Sequence, residues 1–200
     1  MPHWRPPPRA RKRTESTVGS RLGARLRVAL THRLCSRSRL RKALAPEPGE
    51  RILELSPNKG YYSSSTAECL QPNGVLEILA PDPAILEQAI RSARACGIAN
   101  IVARPGDARA LPYPDEIFDA VYLVFGFGGM HDPRGVLVEV ARVLKPAGRV
   151  VIGGLPRSLP WLRCRMLEVL AVGVGLVLES RSSVPLVCLA RFRRPSVVEI

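Results

Sequence analysis

Short apolar runs recur along the chain beyond residue 50, and segments of helical spacing separate them. The apolar runs predict five strands, at 51–55, 75–79, 100–103, 119–125 and 149–152. The segments between and after them predict helices at 61–70, 83–96, 134–144 and 161–170. Strands that alternate with helices over short connections form a parallel sheet, because each helix carries the chain back across one face.

The last part of the chain departs from this alternation. Two apolar runs, 174–179 and 185–191, are separated only by the polar segment "SRSS". Such a short connection permits antiparallel pairing and excludes a parallel crossover. The sequence therefore predicts an α/β fold, a doubly wound, Rossmann-like sheet in three layers that is mostly parallel and has a C-terminal antiparallel hairpin.

The residues before this sheet differ in composition. Residues 1–20 are rich in Pro and Arg and poor in apolar residues, so we expect a disordered basic tail. Residues 21–45 predict a basic amphipathic helical extension, because Leu recurs at every fourth position among arginines. The segment "APEPGE" then breaks the helix, and the predicted domain covers 46–194 with a C-terminal tail at 195–200.

The positive charge is confined to this extension. Residues 1–45 contain 13 Lys and Arg and one acid, whereas the rest of the chain has 17 basic and 16 acidic residues. Three interpretations fit such a segment. It is a solvated tail with a helix that packs on the domain, a docking arm for RNA, DNA or anionic membrane, or an organelle-targeting presequence.

The cysteines give little support to a metal site or a disulfide framework. There are five of them, an odd number, at 35, 69, 96, 164 and 188, and no two form a CxxC pair. A reducing compartment is the simpler inference, so we expect a cytoplasmic protein that holds no metal. We also expect neither a membrane span nor a secretory signal, because no apolar stretch has the necessary length or position.

Ligands of doubly wound sheets bind beyond the carboxyl ends of the strands, where the strand order reverses. The loops at that edge are 56–60, 80–83, 105–108 and 125–132. The first has the position of a glycine-rich cofactor turn, yet "ELSPNKGYY" contains only one glycine. We expect the second loop to supply an acid for a ribose, the third a contact to a base, and the fourth a surface for the substrate.

Three segments carry a resemblance to a known family. "ERILELSPNKGYYS" resembles a first motif in which an acid precedes a Gly-x-Gly-x-Gly turn. "GDARALPYPDEIFDAVYLV" resembles an acidic adenine loop with its fourth strand, and "DPRGVLVEVARVLKPAGRVVIG" resembles the entry to the fifth strand. Together they are similar to class I S-adenosylmethionine-dependent methyltransferases, of the ubiquinone/menaquinone-biosynthesis group. The resemblance covers about residues 45–193 and implies S-adenosylmethionine as cofactor.

The resemblance also implies roles for single residues. Glu54 stands at the acid that helps to hold the cofactor's amino end, and Asp107 at the acid that receives the adenine amino group. A carboxylate suits both tasks, because charge-assisted hydrogen bonds are strong. The alternatives are a surface acid at Glu54 and a turn cap at Asp107. The other positions assigned to the cofactor are Ser56, Asn58, Gly60, Asp82, Gly106, Ala108 and Val124.

The sequence departs from the family pattern in two loops. Ser56 and Asn58 replace the first two glycines, and Pro57 removes an N–H donor from the turn. Asn tolerates a positive φ better than most residues, so Asn58 can preserve the turn. Ala80 stands at the position of the ribose acid. Asp82 either reaches inward in its place or only caps the next helix.

The fourth loop, "FGFGGMHD", is aromatic and rich in glycine, which suits an apolar substrate pocket. His131 is the candidate general base there, and the alternative is an exposed bystander. Lys59 either pairs with the cofactor's carboxylate or is a solvated turn residue. The predicted function is methyl transfer from S-adenosylmethionine to a small, apolar or lipid-like acceptor. The alternative is a methyltransferase-like binding or scaffold protein with weakened or lost cofactor binding.

Overall fold

Among the described residues from 37 to 193, helices alternate with strands except within 101–124 and 177–193, where one strand follows another directly. The computed structural model describes residues 36–57, 60–124, 132–154, 160–184 and 187–196, all of which belong to one compact unit, Leu34–Ile200. The strands are β1 Arg51–Leu55, β2 Val75–Ala80, β3 Ile101–Pro105, β4 Phe118–Val124, β5 Leu144–Gly154, β6 Val177–Val184 and β7 Val187–Arg193. The helices are α1 Arg37–Leu44, α2 Ser63–Cys69, α3 Pro83–Arg94, α4 Pro133–Val143 and α5 Pro160–Val172.

The seven strands form one sheet in the order β3-β2-β1-β4-β5-β7-β6. The first five strands in this order pair in parallel, whereas β7 pairs antiparallel with both β5 and β6. The predicted α/β sheet, doubly wound and mostly parallel with a C-terminal antiparallel hairpin, is therefore confirmed. The order reverses at β1, which lies between β2 and β4.

Helices cover both faces of this sheet. One core contains buried residues of α1, α2 and α3 with alternate strand residues such as Ile52 and Ile78. The other contains residues of α4 and α5 with the intervening strand residues, such as Leu53 and Leu79. Burial on both faces explains why the central strands are apolar almost without interruption. It also makes Glu54, which is only 2% exposed on β1, an exception that needs a physical reason.

Two predicted turns differ from the structure. The segment "SRSS" lies inside β6 and does not connect the hairpin. Because β6 is an edge strand with exposed side chains, it accepts polar residues that a central strand would not. The predicted turn "KPAG" lies within the bounds of β5, where the pairing with β4 shifts register and Ala147 adopts a φ of 62°. The early start of β5 was not predicted, because it depends on one pairing of Leu144 with Phe118, which lies far away in the sequence and precedes the irregularity.

The cysteine pattern also misled the sequence analysis. Cys188, buried on β7, is disulfide-bonded, whereas Cys69 and Cys96 are free. Spacing along the chain does not report which cysteines the fold brings together, so the disulfide of Cys188 was not predicted.

The N-terminal extension lies mostly outside the described residues. The tail 1–20 and most of 21–45, to which the sequence analysis ascribes RNA or anionic-membrane contact, are not among them. Helix α1 is the described part of that extension, and its exposed side carries Arg39, Arg41 and Lys42. Across the described parts of the chain, we find no helix with the length and apolarity that a membrane crossing requires.

Candidate functional site

The carboxyl ends of β1, β2, β3 and β4 meet at the edge of the sheet where the strand order reverses. The register places Leu55 beside Leu79 and Leu123, so the loops after these three strands begin at the same level. This edge is the general position of ligand sites in doubly wound sheets. The predicted cofactor residues after β1, β2 and β3 are therefore neighbours in space.

Glu54 is the buried acid of this edge. Its side chain faces the core beneath α2, where it accepts a hydrogen bond from the Ser63 hydroxyl. Burial raises the pKa of Glu54 to about 7, and the hydrogen bond from Ser63 opposes that rise only in part. Near neutral pH the carboxyl is therefore poised between its two protonation states, and a nearby cation would favour the ionised one. The alternative of a surface acid at Glu54 is excluded by its burial.

A second buried polar group lies beside Glu54. The Tyr122 hydroxyl on β4 makes no hydrogen bond of regular geometry among the described residues. Burial, followed by the nearby Glu54 carboxylate, raises the pKa of Tyr122 well above its usual value. The Tyr122 hydroxyl and the Glu54 carboxyl therefore form a pair of buried polar groups beneath this edge.

The turn after β1 has a positive φ at Ser56, where the family pattern has a glycine, and again at Gly60. Ser56 has a φ of 55°, in the left-handed region that glycine occupies more easily, and its N–H donates to the Leu79 carbonyl at 2.8 Å. Gly60 has a φ of 79°, and a Cβ at this position would lie 2.9 Å from the Ala89 Cα on α3. Gly60 thus permits a close approach of the turn to α3, which no other residue could match.

The end of β2 offers no side chain to a ribose. Ala80 is 1% exposed, and its small side chain packs into the core beneath the helices. Asp82 is exposed and caps α3, because its Oδ1 accepts a hydrogen bond from the Ala84 N–H at 2.9 Å. The cap that the sequence analysis named as an alternative is thus present, and a ribose contact by Asp82 stays a prediction.

The third loop presents an exposed acid that is already paired. The Arg109 guanidinium donates to both carboxylate oxygens of Asp107, with Nη2 at 2.6 Å from Oδ2 and Nε at 3.2 Å from Oδ1. The Arg109 backbone N–H adds a bond to Oδ1 at 2.9 Å. These bonds from Arg109 lower the pKa of Asp107 to about 2, so the carboxylate is ionised at neutral pH. An adenine amino group would share Asp107 with Arg109 or displace it.

The other predicted cofactor positions contribute backbone groups or apolar side chains near this edge. The Gly106 N–H donates to the Ala80 carbonyl at 3.1 Å, which joins the second and third loops. Ala108 is partly buried and packs on the core beneath α4 and α5. Val124 is buried at the end of β4, beside the same edge. Asn58, Lys59 and His131 lie outside the described residues, so their predicted roles stay predictions.

Sequence reasoning missed three side chains of this edge. The Ser63 hydroxyl donates a hydrogen bond to Glu54, and the Tyr122 side chain lies beside that carboxyl. The Arg109 guanidinium is bonded to Asp107. A tyrosine on the same strand face as Ala120 and Val124 was a usable signal for Tyr122, whereas nothing in the sequence indicates which hydroxyl reaches Glu54. In the described ranges, no group of three or more His, Cys, Asp or Glu side chains is arranged to hold a metal ion.

This edge fits S-adenosylmethionine at its amino end. The buried Glu54 carboxyl can neutralise an ammonium, and Gly60 supplies the positive φ and the close approach to α3 at the end of the turn. The Asp107 carboxylate is exposed in the loop where the sequence predicts the adenine contact. The fit is weaker around the ribose, where Ala80 provides no polar group and Asp82 caps a helix.

Comparison with known proteins identifies the family of the chain. A family model described as "Methyltransferase domain" matches residues 53–152, which is half of the chain. The chain is 39% identical over 113 residues to a demethylmenaquinone methyltransferase of Clavibacter sepedonicus, a match that covers 56% of this chain and 43% of that protein. It is 34% identical over 122 residues to a 2-phytyl-1,4-naphtoquinone methyltransferase of Synechococcus elongatus, covering 60% and 52% respectively. The matches thus span about half the length of these relatives.

Solved structures show the same fold. A S-adenosylmethionine-dependent methyltransferase from Aquifex aeolicus superposes with a TM-score of 0.72 at 16% identity, over 88% of this chain and 96% of that one. The chain belongs to the methyltransferase domain family, as a class I, S-adenosylmethionine-dependent member. Its curated relatives are of the quinone-methylating kind that the sequence resemblance implied.

Proposed function

We propose that the protein is an S-adenosylmethionine-dependent methyltransferase. The observation that carries this proposal is the buried Glu54 carboxyl, with a pKa of about 7, at the edge where the strand order reverses. A buried carboxyl costs folding free energy unless a ligand or partner uses it, and a ligand ammonium is the partner that this position offers. Membership of the methyltransferase family supports the same cofactor.

The acceptor that we infer is a small, lipid-like ring compound of the quinone class. The names of the relatives, a demethylmenaquinone methyltransferase and a 2-phytyl-1,4-naphtoquinone methyltransferase, support this class. The buried Val124 and the aromatic composition of the loop that follows it also suit an apolar ring.

When bound, S-adenosylmethionine would supply the methyl group from its sulfonium sulfur to a nucleophilic atom of the acceptor, with S-adenosylhomocysteine as the leaving group and the acceptor's proton released. The chain's task is chiefly alignment and exclusion of water, which can supply much of the acceleration. Glu54 holds the amino end and Asp107 the adenine. His131 is the proposed base that takes the acceptor's proton.

Calorimetric titration with S-adenosylhomocysteine tests cofactor binding. We expect saturable binding by the wild type, and affinity losses of about tenfold or more for Glu54→Gln and Asp107→Asn, because each removes a charge-assisted hydrogen bond. Glu87→Gln is the matched control, since Glu87 is an exposed acid of α3 whose side chain is 69% accessible. No binding at millimolar ligand would contradict the proposal and favour a binding or scaffold protein.

Transfer of a labelled methyl group tests the acceptor. The substrates are the reduced form of a naphthoquinone that lacks one ring methyl and, for comparison, a polar catechol of similar ring size. We expect label in the naphthoquinol alone. Preference for the catechol would contradict the acceptor class while leaving the cofactor proposal intact.

A further inference from the structure

Helix α1 is held firmly at its C-terminal end. Arg149 at the start of the regular part of β5 donates to the Leu44 carbonyl at 2.5 Å and to the Ala45 carbonyl at 2.8 Å. The same guanidinium forms an ion pair with Glu50 at 2.6 Å, and the Arg191 side chain donates to the Ala43 carbonyl at 3.0 Å. Because last-turn carbonyls lack helical partners, these bonds fix the helix to the sheet.

The other end of α1 lies against the cofactor turn. Arg37, the first residue of the helix, donates from Nε to the Tyr61 carbonyl at 2.8 Å. Its guanidinium also lies over the Tyr61 ring, 4.7 Å from the centroid. Tyr61 directly follows Gly60 and packs edge-on against the buried Tyr62, with 4.7 Å between ring centroids. Arg37 therefore combines a hydrogen bond and a cation–π contact at the end of the turn.

The turn is consequently held at both ends. At its entry, the Ser56 N–H is bonded to the Leu79 carbonyl, and at its exit Arg37 holds the Tyr61 carbonyl. Between these points the sequence contains Pro57, whose ring fixes its own φ, and no glycine until Gly60. A loop that is fixed before the ligand arrives loses less entropy on binding.

We propose that Arg37 is a positioning residue that holds the cofactor turn in its binding conformation. This inference rests on the proposed function, because it assigns Arg37 a role at the same site. Arg37 contacts the turn at Tyr61 and acts through it. A lysine would not replace it, since it lacks the planar guanidinium that donates from Nε and lies flat over the ring at the same time.

Hydrogen exchange of the ligand-free protein tests the positioning role without any cofactor. The variants are Arg37→Ala and Arg37→Lys, and Arg41→Ala is the matched control because it removes the same charge from the exposed side of the same helix. We expect the amides of residues 56–66 to exchange faster in both Arg37 variants than in the wild type and the control. Equal exchange in Arg37→Ala and Arg41→Ala would overturn the proposal.

Cofactor binding and kinetics supply the second readout. We expect Arg37→Ala to weaken S-adenosylhomocysteine binding about fivefold and to raise the KM for S-adenosylmethionine by a similar factor. The kcat and the KM for the acceptor should stay at the values of Arg41→Ala. An equal loss of cofactor affinity in Arg37→Ala and Arg41→Ala would show a general effect of charge and would overturn the inference. A wild type that binds no cofactor would instead contradict the proposed function, and the exchange result would still decide whether Arg37 holds the turn.

Discussion

Glu54 is buried at a position where an ionised carboxyl is unfavourable for folding, and where we propose that it binds a ligand ammonium. Its pKa of about 7 is raised by burial, so the folded protein binds a proton that the unfolded chain has released above its ordinary pKa of 4.5. The contribution of Glu54 to the free energy of unfolding is therefore fully present below about pH 4.5 and is lost as the pH rises through about 7. The size of this loss is about 3 kcal/mol.

Glu54→Gln should remove this pH dependence. Gln can accept the bond from Ser63 but does not ionise, so we expect the variant to be more stable than the wild type at pH 8 and similar to it at pH 5. Denaturant unfolding at several pH values measures the difference, with Glu87→Gln as the control for loss of an exposed acid. A wild type and a variant with parallel pH profiles would show that Glu54 does not titrate near 7.

Cofactor affinity should also depend on pH through Glu54, but it should rise with pH where the stability of the protein falls. A ligand ammonium favours the ionised carboxyl, so wild-type affinity for S-adenosylhomocysteine should increase as the pH rises from 6 to 8. The affinity of Glu54→Gln should be weaker and nearly independent of pH across that interval.

Gly60→Ala should destabilise the protein more than a glycine replacement elsewhere. The new Cβ would lie 2.9 Å from the Ala89 Cα, and the backbone would keep a φ of 79° that alanine disfavours. Gly49→Ala is the matched control, because Gly49 has a φ of 86° but no atom within 4 Å of the position that a new methyl group would take. We expect about 1 kcal/mol of destabilisation for Gly49→Ala, and a further 1–3 kcal/mol, roughly, for Gly60→Ala. Equal losses in thermal unfolding would mean that α3 yields to the methyl group.

At the scale of elements, the first turn of α3 begins at Asp82, which caps the helix and is also the predicted ribose contact. Asp82 caps the helix and is followed by Pro83, a residue whose missing N–H costs nothing at a helix start. The family's ribose acid would lie two residues earlier, at Ala80, which is buried. The second loop is therefore arranged to start a helix.

Two substitutions of Asp82 separate capping from ligand binding. Asp82→Ala should lower the free energy of unfolding by about 1 kcal/mol, whereas Asp82→Asn should change it little, because Asn caps as well as Asp. Because the cap occupies the carboxylate, we expect Asp82→Asn to bind S-adenosylhomocysteine as the wild type does. A loss of affinity in Asp82→Asn with unchanged stability would show that the charge contacts the ribose.

The elements themselves were largely predictable from the sequence. β1 agrees at both ends, and most other strands and helices agree to within two residues, since period and caps are local properties. The bounds of β5 and β6 were not predictable, because they depend on pairing with other strands. Leu144 of β5 pairs with Phe118, and the serines of β6 pair with β7. The disulfide of Cys188 was equally hidden, for the same reason.

The site was predictable in position and only partly in detail. The residue types at 54 and 107 indicated two acids at one edge, and the structure brings both to that edge. Their states differ, one buried and near neutral, the other exposed and paired with Arg109, because burial and partners depend on residues far apart in sequence. The contact of Arg37 with Tyr61, across 24 residues, is of the same kind.

At the scale of the whole molecule, a neutral domain of the methyltransferase family carries a basic extension that ends in α1. Helix α1 contacts Tyr61, just after the first loop, through Arg37, and its other end contacts Arg149 of β5. A helix that belongs to the extension therefore links the segment after the first loop to strand β5. The cofactor loops depart from the family pattern at Ser56, Pro57 and Ala80, and we infer that the remaining contacts still suffice for binding.

A crystal structure of the protein soaked with S-adenosylhomocysteine tests this claim most directly. We predict ligand density at the carboxyl edge of the sheet, with the amino end beside Glu54 and the adenine beside Asp107, and with Arg37 still bonded to the Tyr61 carbonyl. An edge without ligand density at millimolar S-adenosylhomocysteine, or a ligand bound elsewhere on the protein, would contradict it.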